Sequence, residues 1–470
     1  MNDNAALRLL YLGLPPIGEQ EPTALPFSPE ALAASPLALT AADLATIPAL
    51  FAAAWTERDD GGNRADTPDA SATANAPERS ERGAGPAPGE RSAYADARVP
   101  GKADDPEHGG TSAAAIAAAN AVTRATANAA TCADAGLAAA NASAPLSGSP
   151  SRPDSSATRP GSAGPDALAW TPKEKNGVRW LEIPAPGLPA PVYITGPATS
   201  TLDVARLLVE ADLFPEWASV LSLRQSSGRG QMRRAWASPE GNLYSALRLP
   251  LAPPFDSAAA APACGALFAE ALSRERCPVL LKWPNDLLQP SSSFRPGVAP
   301  GRNDCFKVGG MLMEERRGAL IVGTGFNLVS CPPNSMLRDN YAFSAGVLRR
   351  ASGFPLVDPA CAHPSQKDSK SKDIVTIFTL WIRLASRLFS CYSQRQTLEP
   401  WWPALAQRHL AFRGCRVTLA DACPERETMV RIPCEGVVDG VTESGALRLS
   451  TAFGTETFLG GSILPAGQVS

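Results

Sequence analysis

The 470-residue chain is poor in histidine, with only His108, His363 and His409, and its ten cysteines include no C-x-x-C pair. A disulfide framework and a Cys/His zinc centre both lack the spacing they need. The thiols are therefore expected to be reduced. An excess of one charge is missing too: 43 Lys and Arg stand against 46 Asp and Glu, giving a net charge of −3. Such a balance exerts no general attraction on nucleic acid or a membrane surface. No stretch approaches the ~18 uninterrupted apolar residues of a membrane span. The opening "MNDNAALRLLYLGLPPIGEQ" has a short apolar run but neither a cationic start nor a small-residue cleavage site. A soluble cytoplasmic protein is expected.

Large apolar residues are almost absent from Glu57 to Leu168, where the chain reads "ERDDGGNRADTPDASATANAPERSERGAGPAPGERS" and similar. Burial there cannot offset the entropy of ordering, so 57–168 is expected to be a disordered linker, its alanine-rich part forming at most a transient helix. Residues 1–56 form an N-terminal extension of unassigned role. Within it "LRLLYLGL" suits a strand and "TAADLATIPALFAAAW" a helix capped by Thr40. Whether this extension docks on the main body or stands apart is not decided by its sequence. Eight of the nine tryptophans lie from Trp170 onward, which places the folded body there.

In that body Ser200 precedes "TLDVARLLVEADLF", with Asp203 three positions on, as in a capping box before an amphipathic helix. "ASVLSLRQ" and "GNLYSALRL" read as strands, "CGALFAEALSRER" as a helix and "PVLLKW" as a short buried strand. "FKVGGMLMEE" and "ALIVGTGFNLV" form a strand pair across the turn "RRG", and "DIVTIFTLWIRLASRLFSCYS" has helical spacing over several turns. The regularly spaced "GCRVTL", "EGVVDGV", "GALRLST" and "TETFLGG" predict a small β-barrel.

Four stretches stand out chemically. "RQSSGRGQMRRAW", residues 224–236, gathers four arginines around a Gly-Arg-Gly turn. It can be a solvated basic hairpin or a backbone folded close over an anion. In "KWPND" Pro284 stops a strand, so Asn285 and Asp286 are expected to turn out at the sheet edge, either for function or as ordinary turn residues. Lys307 precedes Gly309 and Gly310, a thin stretch of strand beside which a ligand can lie, and the lysine can meet a carboxylate or phosphate as a point charge. "GTGFN" ends on Asn327 without a following G-x-x-G or a Walker lysine, which supports neither a dinucleotide fold nor a P-loop.

Taken in order and at these distances, "STLDVA", "RQSSGRGQMRRAW", "KWPND" and "FKVGGMLMEE…IVGTGFNL" resemble the biotin protein ligases, from about Val192 to the C-terminus and including "FLGGSI". The resemblance implies an α+β fold, with a class II synthetase-like mixed-sheet catalytic domain over 169–410 and a small SH3-like β-barrel over 411–470. It implies a two-step reaction in which biotin and Mg-ATP give biotinyl-5′-AMP, and a lysine of a biotin carboxyl carrier domain then takes the biotin. Carried over by position, Ser200, Thr201, Gln225, Gly228, Arg229 and Lys307 are implied for biotin. Gly230, Arg234, Trp236, Asn285 and Asn327 are implied for ATP and the adenylate, with Trp236 either stacking beside adenine or simply a core residue. Arg229, Lys307, Lys282 and Asp286 are implied as catalytic groups, and Asp286 either touches magnesium or fixes the turn.

Three departures from the family pattern carry expectations. Gln231 replaces the second loop arginine, so adenylate is expected to escape more readily. Arg233 stands where the family has glycine, and it either compensates or stiffens the loop. "LLQPSSSFRPGVAPGRNDC" is longer than the family's connection and is expected to be a surface loop. The N-terminus has no helix-turn-helix or basic recognition helix, so no DNA binding is expected. Homodimerisation is left open. The competing readings are a lipoate ligase or octanoyl transferase of the same superfamily, and a biotin-binding sensor without turnover.

Overall fold

Apolar runs without polar alternation belong to strands covered on both faces, as in "VYIT", "SVLS" and "ALIVGTGF". The computed structural model describes residues 5–10, 13–17, 21–37, 40–56, 168–231, 234–295, 298, 303–336, 343–357, 376–396, 400–424 and 434–465. Nearly all of the stretch read as a linker lies outside them, as do His108, His363 and Arg233. The N-terminal segment gives β1 (Ala6–Leu9), β2 (Leu14–Pro16), β3 (Pro22–Ala24), α1 (Pro29–Ala33) and α2 (Ala41–Thr56). The body continues with β4 (Thr171–Lys175), β5 (Val178–Pro184), β6 (Val192–Thr195), α3 (Thr201–Glu210), β7 (Ser219–Ser222) and β8 (Leu243–Leu249). Then come α4 (Ala260–Arg274), β9 (Leu280–Lys282), β10 (Asp286–Pro290), β11 (Cys305–Arg316) and β12 (Ala319–Phe326). α5 (Ile377–Arg395) and α6 (Trp402–His409) lead to β13 (Arg416–Pro424), β14 (Cys434–Val441), β15 (Leu447–Thr451) and β16 (Gly454–Pro465).

Ten strands form one mixed sheet in the order β4-β5-β1-β6-β7-β8-β12-β11-β10-β9, and the last four strands of the chain close into an antiparallel barrel. The architecture is therefore α+β with a terminal barrel, as the sequence leads one to expect. β12 is buried at every position, flanked by β8 and β11. Met311 of β11 lies against Gly265 of α4, while Gly323, the cross-strand partner of the next residue Leu312, lies against Leu202 of α3. Helices α3 and α4 thus cover opposite faces of the sheet.

The N-terminal segment is docked, and its first strand lies inside the sheet. β1 pairs antiparallel with β5 and parallel with β6, with Leu7 and Leu9 fully buried. Arg8, on the other face, donates to Glu182 at 2.8 Å and to the Tyr193 hydroxyl at 2.5 Å. Thr40 caps α2 as expected, exchanging hydrogen bonds with Asp43, whose other oxygen accepts from Thr379 of α5 at 3.1 Å.

The barrel is fastened to the body at the KWPND strand. The Ala411 N–H donates to the Leu281 carbonyl at 2.8 Å, and the Trp283 indole donates to the Gly445 carbonyl at 2.9 Å.

Helices α4 and α6 are joined by Glu270, 2.9 Å from His409 Nε2 and 3.2 Å from Arg274 Nε. The hydrogen bond from His409, assisted by Arg274 and opposed by burial, holds the Glu270 carboxyl down to about 2 from an ordinary 4.5. A carboxyl lowered on folding contributes stability that is present above its unfolded value and lost as pH falls toward the folded one. Glu270→Gln is expected to lower the unfolding midpoint at neutral pH by about 2–4 °C, for ~1 kcal/mol of charge-assisted bonding. The gap should close as pH falls from 4.5 toward 2. Thermal unfolding across that range checks this, and a gap independent of pH would remove Glu270 as the cause.

Candidate active site

The Gly-Arg-Gly stretch leaves β7 and returns on itself before β8. The Trp236 N–H donates to the Gly228 carbonyl and the Gly230 N–H to the Arg234 carbonyl, each at 2.8 Å, with an isolated bridge between Arg229 and Ala235. The two glycines are not equivalent. A Cβ at Gly228 would lie 2.4 Å from the Trp236 carbonyl and 2.6 Å from Ser238 Oγ, whereas at Gly230 it would meet only the Arg234 carbonyl at 3.7 Å. Close packing therefore requires glycine at Gly228 alone.

At the root of the loop, the Gln225 amide oxygen accepts from the Thr201 N–H at 2.9 Å and from its hydroxyl at 3.2 Å, and the amide nitrogen donates to Ser238 Oγ at 2.9 Å. Ser200 caps α3, its hydroxyl accepting from the Leu202 N–H. The structure thus brings Ser200, Thr201, Gln225 and Gly228 together at one end of the site. Asp203 does not complete a capping box. It points to the loop instead, one oxygen accepting from Thr199 Oγ1 at 2.9 Å and the other from Arg229 at 2.7 Å and Arg206 at 3.0 Å. Glu314 of β11 closes the group, paired with Arg206 and lying 3.7 Å from Arg229. Asp203, Arg206 and Glu314 were missed by sequence reasoning. Their only signal was the i, i+3 spacing of Asp203 and Arg206, and Glu314 comes from a strand more than a hundred residues later.

The second charge group sits at the other end. Lys307 Nζ lies 2.7 Å from one oxygen of Asp286, and Lys282 Nζ lies 3.4 Å from the other. Burial lowers the Lys282 pKa from its ordinary value, only partly opposed by Asp286, with Lys307 and Arg234 adding to the shift. Burial raises that of Asp286, but the two lysines outweigh it and hold the carboxyl below its usual range. The expected outward turn at KWPND is not observed. Asp286 opens β10 and pairs with both Lys282 and Gly310, while Asn285 is buried, its amide donating to the Met311 carbonyl at 2.6 Å. The reason is that β9, not β10, is the edge strand, so KWPND is a hairpin turn tied back onto β11. Asn285 thus spends an amide N–H on this tie.

Trp236 joins the two ends. A Cβ at Gly325 would lie 2.6 Å from the indole nitrogen, and one at Gly310 would lie 3.4 Å from the ring. The indole rests on this glycine floor, with Lys307 Nζ 5.2 Å from its centroid. Two buried donors nearby, Trp236 Nε1 and Arg229 Nε, have no hydrogen-bond partner. Such N–H groups are costly to leave unpaired and suit an incoming acceptor. Asn327 closes the site at the end of β12. It is buried, its N–H donating to the Val308 carbonyl at 2.8 Å and its amide to Gly346 at 3.1 Å.

The donor set does not fit a magnesium ion held by the protein. Magnesium takes several oxygen ligands, whereas both Asp286 oxygens face ammonium groups. Among the described residues, no group of three or more His, Cys, Asp or Glu side chains is placed to hold a metal. Asp286 serves instead as the shared counter-charge of two lysines. Among the described residues no helix is long and apolar enough to cross a membrane.

Residues 203–327 match the model of the Biotin/lipoate A/B protein ligase family. No curated protein sequence matches the chain. Among solved structures it is similar to a biotin protein ligase from Aquifex aeolicus in complex with biotin and ATP, with 21% identity, a TM-score of 0.40, and coverage of 58% of this chain and 97% of that one. It is similar to a biotin protein ligase from Leishmania major in complex with biotin, with 19% identity, a TM-score of 0.33, and coverage of 57% and 98%. It is also similar to a biotin acetyl coenzyme A carboxylase synthetase from Helicobacter pylori, with 16% identity, a TM-score of 0.31, and coverage of 57% and 98%.

Proposed function

We propose that this chain, whose residues 203–327 match the biotin/lipoate A/B protein ligase family, is an ATP-dependent biotin protein ligase. The observation that carries the reading is a pair of charge groups, one on the arginine loop and one at the KWPND hairpin. Lys307, 5.2 Å from the centre of the Trp236 indole, shares Asp286 with Lys282, and Arg229, with an unpaired Nε–H, is held by Asp203. Adenylation needs this kind of site. A biotin carboxylate oxygen attacks the α-phosphorus of ATP, the bond to the β-phosphate breaks and pyrophosphate leaves, while negative charge grows on the α-phosphate oxygens. Cations fixed before the reaction stabilise that charge selectively. Lys307 is the group aimed at the carboxylate and then the phosphate, and Arg229 and the loop N–H groups close over the adenylate. In the second step the carrier lysine amine attacks the acyl carbon, the acyl–oxygen bond breaks, AMP leaves and a proton is lost.

Holding one weak nucleophile against the nucleotide supplies ~7–11 kcal/mol of barrier reduction at most, which assigns a purpose to the hydrogen-bonded polar cluster of Ser200, Thr201 and Gln225 at the biotin end. Asn327 and Trp236 are assigned to adenine. Magnesium enters as the counter-ion of the nucleotide. The partner is a biotin carboxyl carrier domain.

Pyrophosphate release with ATP, magnesium and biotin, run beside lipoate and octanoate and followed by transfer to a carrier domain, tests the reading. Biotin-dependent release ending in a labelled carrier lysine is expected. Release with lipoate or octanoate alone would transfer the chain to its superfamily relatives, and biotin binding without release would make it a sensor.

A further inference from the structure

The N-terminal segment reaches the site. Strand β3 forms an isolated antiparallel bridge from Ala24 to Ala198, and Ala198 in turn bridges to Gln225 at the root of the arginine loop. The Leu25 N–H donates to the Pro197 carbonyl at 2.9 Å, and the Thr23 carbonyl accepts the Thr199 N–H at 2.9 Å. On the far side of the same short ply, the Ser226 and Ser227 N–H groups donate to the Ala198 and Thr199 carbonyls, both at 2.9 Å. Thr23 and Ala24 have no exposed surface. The residue so clamped, Thr199, donates its hydroxyl to Asp203 at 2.9 Å, and Asp203 holds Arg229 at 2.7 Å.

We infer that residues 22–25 position the arginine loop: β3 fixes Thr199, Thr199 orients the Asp203 carboxylate, and Asp203 sets the resting place of Arg229. A carboxylate held by a neutral donor on one oxygen keeps the other in a fixed direction for the guanidinium. Thr199 and the Leu25 N–H are thus positioning groups, acting through Asp203 and through the 197–199 ply. The effect expected on turnover rests on the ligase reading, while the effect on loop geometry does not.

The full-length chain tests both. Thr199→Val removes the hydroxyl and keeps the shape, Thr199→Ser keeps the hydroxyl, and Leu25→Pro deletes one N–H of the clamp. Limited trypsin digestion followed by mass spectrometry reads cleavage after Arg229 directly. T199V and L25P should each speed that cleavage at least threefold, and T199S should restore the wild-type rate. Biotin-dependent pyrophosphate release should fall about tenfold in T199V and L25P, with more adenylate free in solution, and recover in T199S. Unchanged cleavage in T199V, or equal changes in T199V and T199S, overturns the role of the Thr199 hydroxyl. Unchanged cleavage in L25P overturns that of the N-terminal segment. Changed cleavage in a chain whose wild type releases no pyrophosphate with biotin leaves the positioning inference standing and removes the ligase reading instead.

Discussion

Lys307→Ala is expected to lower biotin-dependent pyrophosphate release by ~100-fold or more, the size of effect that follows the loss of a charge contact made chiefly in the transition state. The side chain is 32% exposed and reaches its partner Asp286 across the sheet, so its removal opens no cavity in the core. What changes is the charge balance. Asp286 keeps only the weaker contact with Lys282, at 3.4 Å, and the ammonium group beside Trp236 is gone. The unfolding midpoint should therefore stay close to that of the wild type while turnover collapses. Single-turnover adenylate formation beside a thermal melt measures both. Activity within about threefold of the wild type would show that Lys307 is not aimed at the reacting atoms.

Gly445→Val should be the most damaging change outside the site. Gly445 has φ +89°, and a Cβ there would lie 2.5 Å from Ala259 Cα and 2.6 Å from Ala259 N. Both obstacles are backbone and neither can swing aside. The left-handed conformation alone costs a β-branched residue ~1–2 kcal/mol. With the clash added, the loss is about 3–4 kcal/mol, or roughly 6–15 °C in melting temperature. The Gly445 carbonyl also accepts from the buried Trp283 indole, so the barrel should lift from the KWPND strand and shift tryptophan emission to the red. Gly454→Val is the control. Its φ is +115°, yet no atom lies within 4 Å of the added Cβ, so it carries the backbone strain without the collision. Equal melting temperatures for the two variants would show that Gly445 is not a docking point.

Local chemistry was legible in the sequence. The helices and strands with clear period or long apolar runs, from α3 and α5 to β11 and β12, form where those patterns place them. Lys282, Asp286, Lys307 and Trp236 each belonged to a visible motif, but their meeting was not readable from any one of them. Position in the sheet was harder to read. Asn285 and Asp286 looked like edge residues because Pro284 ends β9, but the chain turns back as β10, and a strand of five residues after a proline leaves little periodic signal. Helix α6 was overlooked although Pro403 at its start was a usable sign. The ion pairs of Arg229 with Asp203 and Glu314 join a loop, a helix and a distant strand. No local pattern encodes such a meeting. The same holds for Thr23, which acts through its main-chain carbonyl and so leaves no trace in residue type.

The place of β1 within the sheet has a consequence for how the protein is made. Arg8 and its partner Glu182 are 174 positions apart. Bringing such distant segments together is not in itself prohibitive, since each doubling of loop length adds only about 0.6 kcal/mol. Time is the greater demand. At about 5–20 residues per second, the ribosome needs roughly 10–35 s to deliver the strands that flank β1. Throughout that interval Leu7 and Leu9, which end with no exposed surface, are held in water or by a chaperone. Strand β1 cannot be seated until β5 and β6 have left the ribosome.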